Sequence, residues 1–366
     1  MKIICNKNDL QKLVSLAQNC TSKSSTLPIL SAVLLKALKN RLIITSTNLE
    51  VGFEASMAAK VEKEGGVAPP VKTILALLPS ISDEYIILES QNNNLHITSK
   101  NSSTNLKCFP LAEFPLLPKI KLSTSFTLPA PLLTQSLKYT LAATAHTYIK
   151  PELASIYLFS RQKIPLTFVA TDSFRLAEKK TTFPTPPFSL LLPQKSSQEI
   201  VRIFEEASQE NIDIIFNTNQ ILFQTKIISF TSRLTEGKFP DYQDIIPTSF
   251  LTQVVIDKNQ LINAIRLAGV FVNRLSEILI TVNSKDNLLE VSSGNIDSGE
   301  HHASYPAKIS GLDLETSFNY RYFLDALQYI SDPKIFLGFN DPQRAVLIRG
   351  FENTTYLNLV MPMRRT

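Results

Sequence analysis

Asp172 stands in the stretch F-V-A-T-D-S-F-R-L-A-E-K-K (168–180), an acidic side chain in a small polar turn with Arg175 three residues on. A loop carboxylate can act as a general acid or base when a second titratable group stands beside it, and His146 or His301 could supply that group. Other chemistries are poorly served. His96, His146, His301 and His302 form no HExxH pair, and adjacent His301 and His302 on a strand would point to opposite faces. Cys5, Cys20 and Cys108 are odd in number and far apart, so they read as buried thiols. With 10 glycines in 366 residues, and neither GxGxxG nor GxxxxGK[ST], the chain lacks the loops that let backbone N–H groups cradle a phosphate. No cofactor and no metal is expected.

The elements that must carry Asp172 point away from catalysis. I-I-T-S-T-N-L-E-V-G-F-E (43–54) and L-E-V-S-S-G-N-I-D-S-G-E (289–300) have the same plan: an apolar-alternating strand, a small polar pair, Asn or Asp, then a second strand. Asn48, Asp172 and Asn295 are spaced by 124 and 123 residues, against 122 for a third of the chain, so the molecule reads as three repeats. A residue type that recurs as Asn, Asp, Asn argues for a structural turn.

The flanks repeat as well. A helical pattern precedes each turn: Leu10, Leu13, Val14 and Ala17; Leu133, Leu137 and Leu141; Leu261, Ala264, Ile265 and Ala268. Each of these helices is followed by a short strand, expected at Ile29–Leu35, Ala154–Phe159 and Glu277–Val282. A second helix is expected in each third at Val71–Leu78, Ser197–Ala207 and Tyr320–Ile330, followed by three strands. Alternation within the strands predicts antiparallel sheets with one buried face. The fold class is therefore α+β: three similar domains, 1–122, 123–248 and 249–366, of antiparallel sheets and two helices each. The boundaries follow the proline-rich connectors F-P-L-L-P-K-I (114–120) and K-F-P-D-Y-Q-D-I-I-P (238–247).

Composition sets the remaining bounds. Apolar residues make up 44%, enough for a sizeable core, and the net charge of +5 permits a nucleic-acid partner without requiring one. No apolar run approaches the length of a membrane span, and the first residues carry no signal peptide, so a cytoplasmic protein with no membrane partner is expected.

T-L-P-I-L (26–30), A-T-D-S-F-R-L-A (170–177), E-G-K-F-P-D-Y (236–242) and the ending V-M-P-M-R (360–364), in this order and spacing, resemble the bacterial sliding clamps, the beta subunits of DNA polymerase III. The resemblance covers the whole chain. It implies the DNA clamp fold and a head-to-tail dimeric ring around double-stranded DNA, with sheets outside and helices lining the bore. It implies no catalysis: the ring tethers the replicative polymerase alpha subunit, is opened by a clamp loader, and recruits repair polymerases, mismatch-repair proteins and ligase. A three-repeat interaction scaffold that does not encircle DNA is the alternative.

Site residues follow from the same resemblance. A partner-peptide cleft is expected from Leu153, Thr171, Ser173, Phe174, Arg175, Leu176, Pro240, Asp244, Ile245, Val360, Met361, Pro362, Met363 and Arg364, with Asn319 and Tyr322 near it. Met and Leu walls accept varied apolar side chains, and Arg175 and Arg364 can hydrogen-bond at the rim. Phe174 and Asp244 depart from the residues usual in the family. DNA contact is expected from cations on the helices, Lys12, Lys138, Arg202, Arg266 and Arg321. It is also expected from Lys23 and Ser24 before T-L-P, Lys72 beside Val71, and Tyr148 and Lys150 before the middle strand, where Pro151 and Glu152 replace a common aromatic pair. Thr104 and Leu106 match one side of the dimer interface; Val270 and Phe271 approximate the other. Family members are usually acidic overall, whereas this chain is basic.

Overall fold

A computed structural model describes residues 1–22, 26–117, 120, 124–147, 149–205 and 210–363. Six α-helices occur among them, two per third: α1 (Lys7–Gln18), α2 (Val71–Leu77), α3 (Ala130–Leu141), α4 (Gln194–Phe204), α5 (Lys258–Ala268) and α6 (Tyr320–Gln328). Each helix begins where a strand or bridge ends, and the residue at the junction sets the start. Asn6, Asp257 and Asn319 cap α1, α5 and α6 by accepting backbone N–H groups that have no partner in the first turn. Pro70 holds the same position before α2, and Pro129 and Pro193 end the strands that lead into α3 and α4. Proline has no N–H to leave unsatisfied there.

The chain divides into two compact units, Met1–Thr134 with Lys195–Leu234, and Gln135–Gln194 with Thr235–Thr366. The first contains a five-stranded antiparallel sheet in the order Lys60–Lys63, Lys2–Asn6, Tyr85–Gln91, Asn94–Thr98, Ser103–Lys107. Its eight-stranded sheet runs Thr124–Pro129, Asn211–Phe216, Gln220–Gln224, Ile228–Arg233, Val51–Ala58, Arg41–Thr47, Leu34–Leu38, Gly65–Val67. The second unit has a nine-stranded sheet, Phe188–Pro193, Ser155–Arg161, Ile164–Thr171, Arg175–Lys180, Tyr356–Val360, Val346–Gly350, Lys334–Phe339, Thr252–Asp257, Lys308–Gly311. Its four-stranded sheet runs Gly299–Pro306, Leu288–Asn295, Glu277–Asn283, Leu314–Asn319.

Backbone pairing explains where the units divide. Val51–Ala58 pairs with Ile228–Arg233, and Arg175–Lys180 with Tyr356–Val360, so each large sheet runs across a sequence third. Of the expected boundary residues, Thr248 is exposed on a connector and Leu122 lies outside the described residues.

Apolar stripes read from the sequence are the buried stripes. Leu10, Leu13, Val14 and Ala17 of α1 pack toward α2 and strands Arg41–Thr47 and Val51–Ala58; Leu261, Ala264, Ile265 and Ala268 of α5 pack toward α6 and the four-stranded sheet. Ser46 donates to Ala17 O (2.8 Å) and Ser293 to Ala268 O (2.6 Å), so corresponding strands close the last turn of corresponding helices. One expectation is corrected: Ile29–Leu35 is not a strand. Pro28–Ser31 forms a 3₁₀ turn that buries Ile29 and Leu30 against Ala32, Ala68 and Phe114, and the strand starts at Leu34. Cys5 and Cys20 are buried as expected, whereas Cys108 is only half-buried.

Candidate functional site

Asp172 ends the strand Ile164–Thr171, and every oxygen of its carboxylate is engaged. Oδ1 accepts from the backbone N–H groups of Phe174 and Arg175, both at 2.9 Å; Oδ2 accepts from Arg175 Nε at 3.0 Å. Thr171 Oγ1 accepts from Ser173 N and donates to Arg175 O, while Ser173 takes a left-handed φ of 77°. Asn48 builds the same turn: its Oδ1 accepts from Glu50 N and Val51 N, Thr47 plays the part of Thr171, and Leu49 has φ 75°. Short Asx side chains suit this turn because they cap the backbone locally. Asn295 differs. It pairs with Gly299, so its loop is one residue longer and Gly299 takes the positive φ of 106°. The three turns are therefore two of one geometry and a variant, and the Asp172 carboxylate is bonded, among the described residues, to the backbone N–H groups of Phe174 and Arg175 and to the Arg175 guanidinium.

Arg175 is the hub of this corner. Besides Asp172 it pairs with Asp325 of α6, and its guanidinium lies 4.3 Å from the centre of the Tyr322 ring. Tyr322 and Asp325 are three residues apart and share one helix face. The phenol of Tyr322 is pushed up, first by burial and then by the charge of Asp172. Arg175 is thus a half-buried strut with Nε and Nη1 committed to Asp172 and Asp325.

The last strand completes the corner. Arg175 lies opposite Val360 and Leu176 opposite Leu359 in the antiparallel ladder. Beyond the strand, Met361 N donates to Phe174 O and Met363 N to Ser317 O, both at 2.8 Å. Pro362 between them has no N–H, which lets the chain leave one sheet and reach the other. Leu176 and Leu359 belong to a core cluster with Phe159, Val169, Leu191, Phe239, Tyr242, Phe336 and Leu347, and Ile246 packs on it. Tyr242 anchors the connector by donating to Glu178 (2.6 Å), a buried carboxylate that also pairs with Lys180. Burial and Glu178 both push the Tyr242 phenol up. Above this floor, Phe174 (63%), Ile245 (58%) and Met361 (40%) are exposed although apolar. Phe174 and Met361 are tied together by the Met361 N–H to Phe174 O bond, and exposed apolar side chains of this kind are candidates for docking.

The remaining expected cleft residues fall as follows. Leu153 and Val360 are buried, Thr171 and Ser173 serve the turn, and Pro240 and Asp244 lie exposed on the connector with Ile245. Asn319 caps α6, and Arg364 lies outside the described residues. Sequence reasoning missed Glu178 and Asp325. Glu178 shares the strand face of Leu176, and a carboxylate two residues from a core leucine was a legible signal of a buried anchor. Asp325 gave no such signal, because its partner is 150 residues away.

Expected DNA-contacting cations divide. Lys12, Lys72, Lys150, Arg266 and Arg321 are exposed and Lys138 half-buried; Lys23, Ser24 and Tyr148 lie outside the described residues. Arg202 is corrected. Its guanidinium donates to Ser15 O (3.2 Å) and Leu16 O (2.6 Å) and pairs with Glu199, so it closes the end of α1. At the expected dimer contacts, Thr104 and Leu106 lie on Ser103–Lys107, a terminal strand of the five-stranded sheet among the described residues. Val270 and Phe271 are not on an edge strand. They follow α5, with the Phe271 ring parallel to His301 at 6.3 Å; His301 lies on Gly299–Pro306, one of the two terminal strands of the four-stranded sheet among the described residues.

Three family descriptions match in succession: DNA polymerase III beta subunit N-terminal domain over residues 1–118, central domain over 127–241 and C-terminal domain over 243–364. Beta sliding clamps of Synechococcus elongatus and Bacillus subtilis are 28% and 26% identical, with this chain covered in full and 99% and 100% of the relatives' lengths. The crystal structure of the Bacillus subtilis sliding clamp superposes with a TM-score of 0.94 at 25% identity, covering all of both chains. A Bartonella birtlesii sliding clamp bound to griselimycin gives 0.95 at 25% identity with the same coverage.

Proposed function

The chain belongs to the DNA polymerase III beta-subunit family, and from that premise we propose how it works as a clamp. It is a processivity subunit of DNA replication and not an enzyme. Its own task is mechanical. Two copies close head to tail into a ring, the edge Ser103–Lys107 of one pairing with the edge Gly299–Pro306 of the other. Paired edges leave no open strand to template aggregation, and a heterologous contact that closes gives a finite assembly. Double-stranded DNA passes through the ring. Lys12, Lys72, Lys138, Lys150, Arg266 and Arg321 attract phosphates without reading bases, which is what sliding demands.

The corner around Arg175 is the partner cleft. An apolar peptide segment lies over Phe174, Ile245 and Met361 and reaches toward Leu176 and Val360. Replicative and repair polymerases, mismatch-repair proteins, ligase and the clamp loader would share it, working in the cytoplasm where the DNA is. The observation that carries the whole reading is the succession of three matches along the entire chain. The test is topological. Protein loaded on circular DNA is retained and is lost once that DNA is cut; equal retention on circular and linear DNA defeats the ring and favours a scaffold.

A further inference from the structure

We propose that Glu178 is a positioning residue for partner binding: with Tyr242 it fixes the exposed turn Gln243–Ile245 relative to the strand that follows Phe174, and so sets the spacing between two sides of the cleft. The proposal rests on the cleft reading above. Alternation gives the strand Arg175–Lys180 two faces. Arg175 and Lys179 turn to the helices, meeting Asp325 of α6 and the Tyr139 ring of α3. Leu176, Glu178 and Lys180 turn the other way. On that second face Glu178 stands between Val169 and Leu357 in the ladder, an apolar row for a carboxylate that is 2% exposed. Both its oxygens are engaged: Oε1 pairs with Lys180 Nζ at 2.9 Å, and Oε2 accepts from the Tyr242 hydroxyl at 2.6 Å.

The connector is held at three residues. Phe239 stacks on Tyr157 with ring centres 5.0 Å apart, Tyr242 is buried with its hydroxyl on Glu178, and Ile246 packs on the core cluster that contains Leu176 and Leu359. Between the last two, Gln243–Ile245 makes one 3₁₀ turn whose three side chains are all exposed. Its closing bonds run from Ile245 N to Tyr242 O and from Ile246 N to Gln243 O, both 3.2 Å. Tyr242 O accepts the first, so where Tyr242 sits decides where the turn sits. Packing alone could hold that ring. A phenylalanine over a leucine would bury similar surface without desolvating a charge, at equal or better stability. What the polar pair adds is direction: a buried hydrogen bond has a narrow range of good geometry, whereas apolar side chains slide over one another. One strand thus governs both sides, Phe174 through the Asp172 turn at its start and Ile245 through Glu178.

Three variants of the full chain separate positioning from stability. Glu178→Gln keeps an acceptor for Tyr242, Tyr242→Phe leaves a buried carboxylate oxygen without its donor, and the apolar pair combines Glu178→Leu with Tyr242→Phe. Urea midpoints read stability, amide exchange at Ile245 and Ile246 reads the turn, and polarisation of a fluorescent peptide of leucine and phenylalanine reads binding. Tyr242→Phe alone should lower the midpoint. The apolar pair is expected to match the parent's midpoint, yet to exchange Ile245 and Ile246 about tenfold faster and bind the peptide about fivefold more weakly. Glu178→Gln should stay within about twofold of the parent in both. Parent-like exchange and affinity in the apolar pair overturn the positioning role, because packing then suffices. A loss of affinity that merely follows the fall in midpoint across the variants overturns it too. Phe174→Ala is the control for the cleft: weaker binding there, with parent-like binding in the apolar pair, leaves the cleft standing without the positioning role. No binding to the parent removes the cleft and the positioning role with it.

Discussion

Arg175 shows how little of a residue's role lies in its own chemistry. Its guanidinium could bind a partner's carboxylate, but here it welds the Asp172 turn to Asp325 and Tyr322 of α6. Asp172 in turn does two separable jobs, capping a turn and pairing with arginine. The first third performs the capping job with Asn48. Asp172→Asn should therefore keep the turn and cost about 1 kcal/mol, whereas Asp172→Ala should lose the cap as well and cost about 2 kcal/mol. Denaturant melts of both variants decide this; equal losses would mean that capping adds nothing. Phe174→Ala and Met361→Ala remove exposed apolar surface. Stability should stay within about 0.5 kcal/mol of the parent, while affinity for an apolar peptide falls roughly tenfold by polarisation. A large drop in stability without loss of binding would place both side chains in the core instead.

At the scale of elements, recurrence and divergence are both visible. Arg233 N donates to Glu50 O (2.9 Å) in the first unit, as Met361 N donates to Phe174 O in the second, so both large sheets make the same corner. Only the second corner presents Phe174 and Met361; the first has Glu50 and Arg233, charged residues that suit water. The two corners thus share one backbone geometry and differ in the side chains they expose, which is the difference the proposed cleft rests on. Helix α1 depends on a neighbour in another way. Ser46 and Arg202 together take the carbonyls of Ser15, Leu16 and Ala17. Arg202→Ala should destabilise the protein by about 1 kcal/mol, discounted for the partial exposure of the side chain. Its effect on retention on circular DNA should be negligible beside that of Arg266→Ala. A loss of retention equal to that of Arg266→Ala, with stability unchanged, would return Arg202 to the DNA-facing set.

For the whole molecule, the expected assembly is a dimer of roughly 82 kDa, twice the 40.9 kDa chain, by sedimentation at micromolar concentration. Thr104→Arg at the open edge should shift it to monomer without unfolding; a parent protein already monomeric there counts against the ring. Stability should also fall in alkali. Burial pushes the Cys5 and Cys20 thiols up to about 12 from an ordinary value of 9.0. The unfolded chain therefore releases these protons first, and each contribution is complete below pH 9 and lost as pH rises toward 12. The buried phenols of Tyr242 and Tyr356 act in the same direction. Urea midpoints at pH 8, 9, 10 and 11 should fall steadily, and Cys20→Ala should flatten the slope; a flat parent profile refutes the linkage.

Periodicity is local, so the sequence by itself determined the helices, their caps, the alternating strands and the threefold repeat. Each depends on residues within one turn or one hairpin of each other. It also placed the Asp172 turn, because side-chain capping reaches only two or three residues. The tertiary structure decided what needs distant partners: that Arg175 meets Asp325, that Arg202 serves α1, and that the large sheets cross the sequence thirds. It also decided that Phe271 packs against Gly299–Pro306, a terminal strand of the four-stranded sheet. Strand order is set by which apolar faces bury together, and no spacing along the chain encodes that choice.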